Sequence, residues 1–139
     1  MLPIVVFDTN ILISATLSQR SNPYRCLQLA KDGLVKSVTC REILDEFQEK
    51  LILKFDYSPP DAQSTTDGVL DYSQLVNIAN SLKGMCADPD DDMVLECAVV
   101  ANANYIVTGD KHLLCLGGYQ NILILKATDF LASIQELQN

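Results

Sequence analysis

Four carboxylates, Asp8, Glu46, Asp92 and Asp110, stand out as residues whose type and neighbours suit a shared task. Hard oxygen donors of this kind are the natural ligands of Mg²⁺ or Mn²⁺. One such ion, or a pair about 3.5–4 Å apart, can activate water and stabilise the leaving oxygen of a phosphodiester. Carboxylates packed together repel, so the set needs either a cation or raised pKa values. Each acid also has an ordinary reading. Asp8 and Asp110 follow apolar runs, as turn residues do. Glu46 has Lys50 four residues on, the spacing of a helix ion pair. The acids Asp88, Asp90, Asp91 and Asp92 would favour a helix N-terminus whatever else they did. Glu96 falls one turn after Asp92, placed either to support that acid or to face solvent.

Other chemistries lack their residues. His112 is the lone histidine and reads as a surface residue, so no Ser–His or Cys–His nucleophile pair can be built. Gly117-Gly118 is a turn signal, and no Gly-rich phosphate loop is present. The five cysteines are odd in number and contain no C-x-x-C pair. Cys26, Cys40 and Cys97 lie in apolar runs, the pattern of reduced, buried thiols in a cytoplasmic protein. Phe7-Asp8-Thr9-Asn10 has the outline of an aspartate-nucleophile phosphatase of haloacid-dehalogenase type. That chemistry wants a second aspartate two residues after the first as general acid, and Asn10 stands there.

The elements that must position these acids follow from the apolar pattern. The chain has 139 residues, 48% hydrophobic and 20% charged, enough for one compact domain. No apolar run approaches the roughly 20 residues needed to cross a bilayer. The opening residues lack a basic n-region and read as a first strand, not a signal peptide. The net charge of −8 excludes a broad basic nucleic-acid surface but leaves ten basic residues to line one face.

Residues 3–7 read as a buried strand, as do 34–38, 105–108 and 122–125. A helix is expected from Ser21-Asn22-Pro23 to Gly33, a C′ position. Thr39-Cys40-Arg41-Glu42 has capping-box spacing and opens a second helix to about Leu53, with Glu42 as the partner of Thr39. Leu70, Leu75, Ile78, Ala79 and Leu82 suggest helix, closed by Gly84. Residues 85–92 read as an acidic loop, 93–103 as a buried helix, and Thr128 as the N-cap of a last helix. Strands alternating with helices predict a parallel α/β sheet covered on both faces. In such sheets ligands bind beyond the carboxyl ends of the strands, which brings Asp8 and Asp110 to one edge with Asp92 near it. Glu46 lies beside the apolar stripe of its helix and can reach over that edge.

Taken in order, Val6 to Ile13, Glu42 to Glu46, Asp88 to Ala98 and Ile106 to Leu114 resemble the motifs of the PIN-domain family, over residues 4 to about 131. The likeness is to the branch of bacterial toxin components of toxin–antitoxin pairs. It implies a single domain over residues 1–139, a PIN-like (Rossmann-like) three-layer α/β fold whose central parallel sheet has four to five strands flanked by helices. It implies an endoribonuclease that uses Mg²⁺ or Mn²⁺ to cut RNA, probed best with single-stranded substrate, and a homodimer with an antitoxin partner. By position Asp8 matches the first-strand acid, Glu46 the helix acid, Asp92 the third acid and Asp110 the acid of the Thr108-Gly109-Asp110 segment. Asn10 and Thr108 fall where the family supports its ligands. The choice among Asp90, Asp91 and Asp92 rests on spacing to Leu95 and Ala98, which favours Asp92 and leaves Asp90 or Asp91 as helix cap. A non-catalytic binding module on the same fold is the third reading, and the intact acid set argues against it.

Overall fold

A computed structural model describes residues 1–86 and 88–138. Ala87, inside the stretch read as an acidic loop, lies outside the described residues. The elements run β1 (Ile4–Phe7), α1 (Thr9–Leu17), α2 (Asn22–Lys31), β2 (Lys36–Cys40), α3 (Arg41–Phe55), α4 (Pro59–Leu70), β3 (Ser73–Val76), α5 (Pro89–Val100), β4 (Tyr105–Val107), α6 (Lys111–Leu116), β5 (Gly118–Tyr119), β6 (Ile122–Leu125) and α7 (Ala127–Gln138). One six-stranded sheet has the order β3-β2-β1-β4-β6-β5. Its first five strands are parallel, and β5 pairs antiparallel with β6. The expected α/β class holds, with six strands in place of four or five. No described helix is long and apolar enough to cross a membrane.

β1 lies at the centre because it is apolar on both faces: Val5, Val6 and Phe7 are buried. Phe7 and Tyr105 both meet the Phe130 ring of α7 edge-on, at 6.2 and 5.3 Å between centroids. In α3, Ile43, Leu44, Phe47 and Leu51 present one buried stripe to the core. Gly33 ends α2 as expected, with φ +77°, and the Leu34 amide donates to the Leu29 carbonyl to close the turn.

Several local expectations change. The helix α1 follows β1 at once, although its residues show no amphipathic stripe. Ile11, Leu12, Ile13 and Ala15 are all buried, so the helix is apolar on several sides and gives no one-faced helical pattern in the sequence. The Thr39 capping box does not form, because Thr39 still belongs to β2 and Cys40 takes the N-cap position. Residues 73–76, expected in a helix, form the edge strand β3; its exposed outer side removes the apolar run that marks a buried strand. Thr128 lies within the first turn of α7. Most consequential, α5 starts at Pro89 and not at Met93, with Asp88 as its cap accepting from the Asp90 amide at 2.9 Å. Proline suits the first helical position, so the three acids that follow it point in successive directions around one turn.

Candidate active site

The carboxyl ends of β1 and β4 are neighbours in the sheet, and the backbone there is tied by the Asp8 amide donating to the Val107 carbonyl at 3.0 Å. Asp8 follows β1 and is buried, 5% exposed. Its Oδ1 accepts from the Thr9 amide at 2.7 Å, capping α1, and its Oδ2 accepts from the Thr108 hydroxyl at 2.7 Å. The same Thr108 Oγ1 accepts from the Asp110 amide at 3.0 Å, so one fully buried hydroxyl sets both acids. Asp110 caps α6 through its Oδ1, which accepts from the His112 and Leu113 amides. His112 is exposed and contributes its backbone.

The third acid of this edge is Asp91. It is 5% exposed, and its Oδ2 is buried without a hydrogen-bond partner. Burial, then the charges of Asp110 and Asp8, push its carboxyl up to about 7. Burial also raises Asp8, against the hydrogen bonds from Thr108 and Thr9.

Asp92, expected in this position, is turned away. Its carboxylate accepts from the Gly84 amide at 3.1 Å and the Cys86 amide at 2.8 Å. Glu96, one turn on, does the same for the preceding residues: it accepts from the Asn80 and Leu82 amides at 2.7 Å and from the Ser81 hydroxyl at 3.3 Å. Burial raises the Glu96 carboxyl, but these donors outweigh it and hold the group below the usual range. Asp92 and Glu96 therefore fasten residues 80–86 to α5 and do not face Asp8. A signal for this was present: Asp91, Leu95 and Ala98 have the spacing i, i+4, i+7 of one helix face, which a helix begun at Pro89 turns to the core.

Glu46 stands at the rim, half-buried on α3. Its Oε1 lies 3.4 Å from the Lys50 ammonium, the expected i, i+4 pair. A hydrogen bond with Glu46 and burial together push Asp90 up to about 6. Lys50 also reaches the Asn10 Oδ1 at 3.4 Å. Asn10 is thus connected to the site through Lys50, while Thr108 binds Asp8 directly. Glu42 accepts from the Asn80 side chain at 3.0 Å.

Two groups of acids result: Asp8, Asp91 and Asp110 at the strand ends, and Glu46 with Asp90 at the rim. Among the described residues no three metal-type side chains converge into a closed coordination shell. Like charges come together in both groups, Asp110 and Asp8 beside Asp91 and Glu46 beside Asp90. An all-oxygen donor set containing a buried, unpartnered carboxylate oxygen among like charges is the chemistry a hard divalent cation satisfies.

Residues 4–112 match a family model described as PIN domain. Among solved structures, VapBC2 from Rickettsia felis, bound to a DNA fragment from its promoter, is similar with a TM-score of 0.63 and 20% identity, covering 87% of this chain and 96% of that one. The RRP44 PIN domain of T. brucei is similar with a TM-score of 0.58 and 13% identity, covering 99% of this chain and 84% of that one. At such identities the likeness is one of fold. No curated protein matches the sequence.

Proposed function

The chain belongs to the PIN-domain family, and from that premise we propose that it is a Mg²⁺- or Mn²⁺-dependent endoribonuclease whose metal is held by Asp8, Asp91 and Asp110, with Glu46 at the rim. The observation that carries the proposal is the buried, unpartnered Oδ2 of Asp91 facing the charges of Asp110 and Asp8. An Asp in that state is costly unless a proton or a cation occupies it. Asp92 is left out of the ligand set because its carboxylate is drawn to the Gly84 and Cys86 amides, whereas the charges of Asp8 and Asp110 act on Asp91.

A bound divalent ion would supply Lewis-acid stabilisation of phosphorane charge and a more acidic water. The protein's part is placement. Thr108 fixes the orientation of Asp8 and the backbone entering Asp110. Glu46 and Asp90 form a second pair of neighbouring carboxyls at the mouth, suited to accept a proton from an incoming water. Binding of RNA falls to basic residues beside the acids. Arg41 follows β2, Lys111 follows Asp110 and Lys126 follows β6, so exposed cations stand on both flanks of the acid edge. None of the three joins an ion pair among the described residues.

The same reading carries an antitoxin protein partner, supported by the fold shared with VapBC2, and a homodimer, which rests on the family resemblance alone. The test is cleavage of single-stranded RNA in Mn²⁺ by the wild type and by Asp8→Asn, each with and without chelator. Wild-type cleavage abolished by chelator and by the substitution is expected. Equal cleavage by both proteins overturns the metal reading. Turnover of small phosphate esters through a trapped aspartyl-phosphate would revive the phosphatase alternative, against which Asn10 stands.

A further inference from the structure

Lys50 joins the two halves of the acid site. Its ammonium lies 3.4 Å from Glu46 Oε1 at the rim and 3.4 Å from Asn10 Oδ1 on α1, next to the strand end that bears Asp8. It is the one basic side chain in an ion pair among the described residues, and it is 27% exposed, so the charge is partly withdrawn from water. A solvent-facing helix pair needs no third partner 40 residues away in sequence. Here the third partner comes from the helix that Asp8 caps.

We propose that Lys50 is the site's resident counter-cation: it neutralises the carboxylates when no metal is present, yields to a divalent ion, and then serves the substrate phosphate. This inference rests on the proposed metal reading. The electrostatics agree, since Lys50 draws down the carboxyls of both Asp8 and Asp90. A single positive charge cannot balance Asp8, Asp90, Asp91, Asp110 and Glu46 together, and among the described residues it is the only cation bonded within the group. A divalent ion entering the same field competes with that ammonium, because both are stabilised by the same oxygens. Once displaced, a flexible four-carbon stem with three donors can follow the phosphate as a point charge.

The consequence is a pair of effects with opposite sign. Lys50→Gln should bind Mn²⁺ more tightly, by about 3- to 10-fold in calorimetry at pH 8, because a competing charge has gone. It should nonetheless cut RNA at least about 10-fold less efficiently, and its metal-free form should melt at a lower temperature. Lys50→Arg keeps the charge and should hold the Mn²⁺ affinity near that of the wild type. A lysine that only props α3 gives a different result: Lys50→Gln would then bind Mn²⁺ as the wild type does, or more weakly, and either outcome overturns the inference. Should the wild type itself bind no Mn²⁺, the metal reading falls and this one with it, so the two failures are distinguishable.

Discussion

Thr108 does two jobs with one hydroxyl, donating to Asp8 and accepting from the Asp110 amide. Thr108→Val keeps the volume and removes both bonds. A hydrogen bond to a charged group is worth about 1.5–3 kcal/mol, and loss of a group that orients a ligand costs about 10–100-fold in metal affinity or activity. Loss of Mn²⁺ affinity in that range, read by calorimetry, is the expected outcome. The carboxyls make a second prediction. Asp91 is raised to about 7, Asp90 to about 6, and Asp8 is raised as well, whereas the unfolded chain titrates near 3.9. Folded protein therefore binds these protons more tightly than unfolded chain. Their contribution to stability is complete below about pH 4 and is lost as pH rises through 6 to 7. The metal-free protein should melt at a lower temperature at pH 8 than at pH 5, and Asp91→Asn should flatten that slope. A metal-free Tm that climbs between pH 5 and 8 contradicts the placement of Asp91.

At the scale of elements, α5 and the residues before it act as one unit. Asp92 and Glu96 together accept five hydrogen bonds from residues 80–86. Glu96→Gln retains one acceptor oxygen and should release one of the Asn80 and Leu82 amides. Faster hydrogen exchange at whichever of the two amides is released, with exchange in β1 unchanged, is the expected signature. Legibility in the sequence follows the same lines. β1, β4 and β6 are readable because each is a short apolar run, and Asp8 and Asp110 follow from their ends. The helix α1 hides because it is apolar on several sides, and β3 because an edge strand buries too little to show a run. The third acid turned on one boundary: starting α5 at Met93 gives Asp92 the leading place, while starting it at Pro89 turns Asp91 inward and Asp92 toward the loop. The acid cluster was legible as a group, and its members' directions required the helix phase.

For the whole molecule, a net charge of −8 sets the terms on which the proposed RNA substrate can approach. Long-range steering is unfavourable, so binding must come from cations close to the edge, and Arg41, Lys111 and Lys126 flank it. Adjacent strands lie about 4.8 Å apart, which puts β2 and β6 roughly 14 Å apart across β1 and β4. Changing all three to Gln should flatten the slope of log K against log salt for single-stranded RNA by about 2, or about 0.7 for each phosphate no longer neutralised. Changing Lys31 and Lys36, which lead into the opposite end of β2, should leave that slope unaltered. An equal effect from both sets would reduce the binding to net charge alone. Metal should also stabilise the fold by mass action, by about 2.7 kcal/mol when free ion is about 100 times its Kd.

In the proposed site Asp91, and not its neighbour Asp92, completes the metal set with Asp8 and Asp110. Calorimetric Mn²⁺ titration of Asp91→Asn and Asp92→Asn side by side tests that placement most directly. Asp91→Asn should lose about 10–100-fold in Mn²⁺ affinity. Asp92→Asn should stay within a few-fold of the wild type while its Gly84 and Cys86 amides exchange faster. Strong Mn²⁺ binding by Asp91→Asn together with its loss in Asp92→Asn would instead place Asp92 in the metal set.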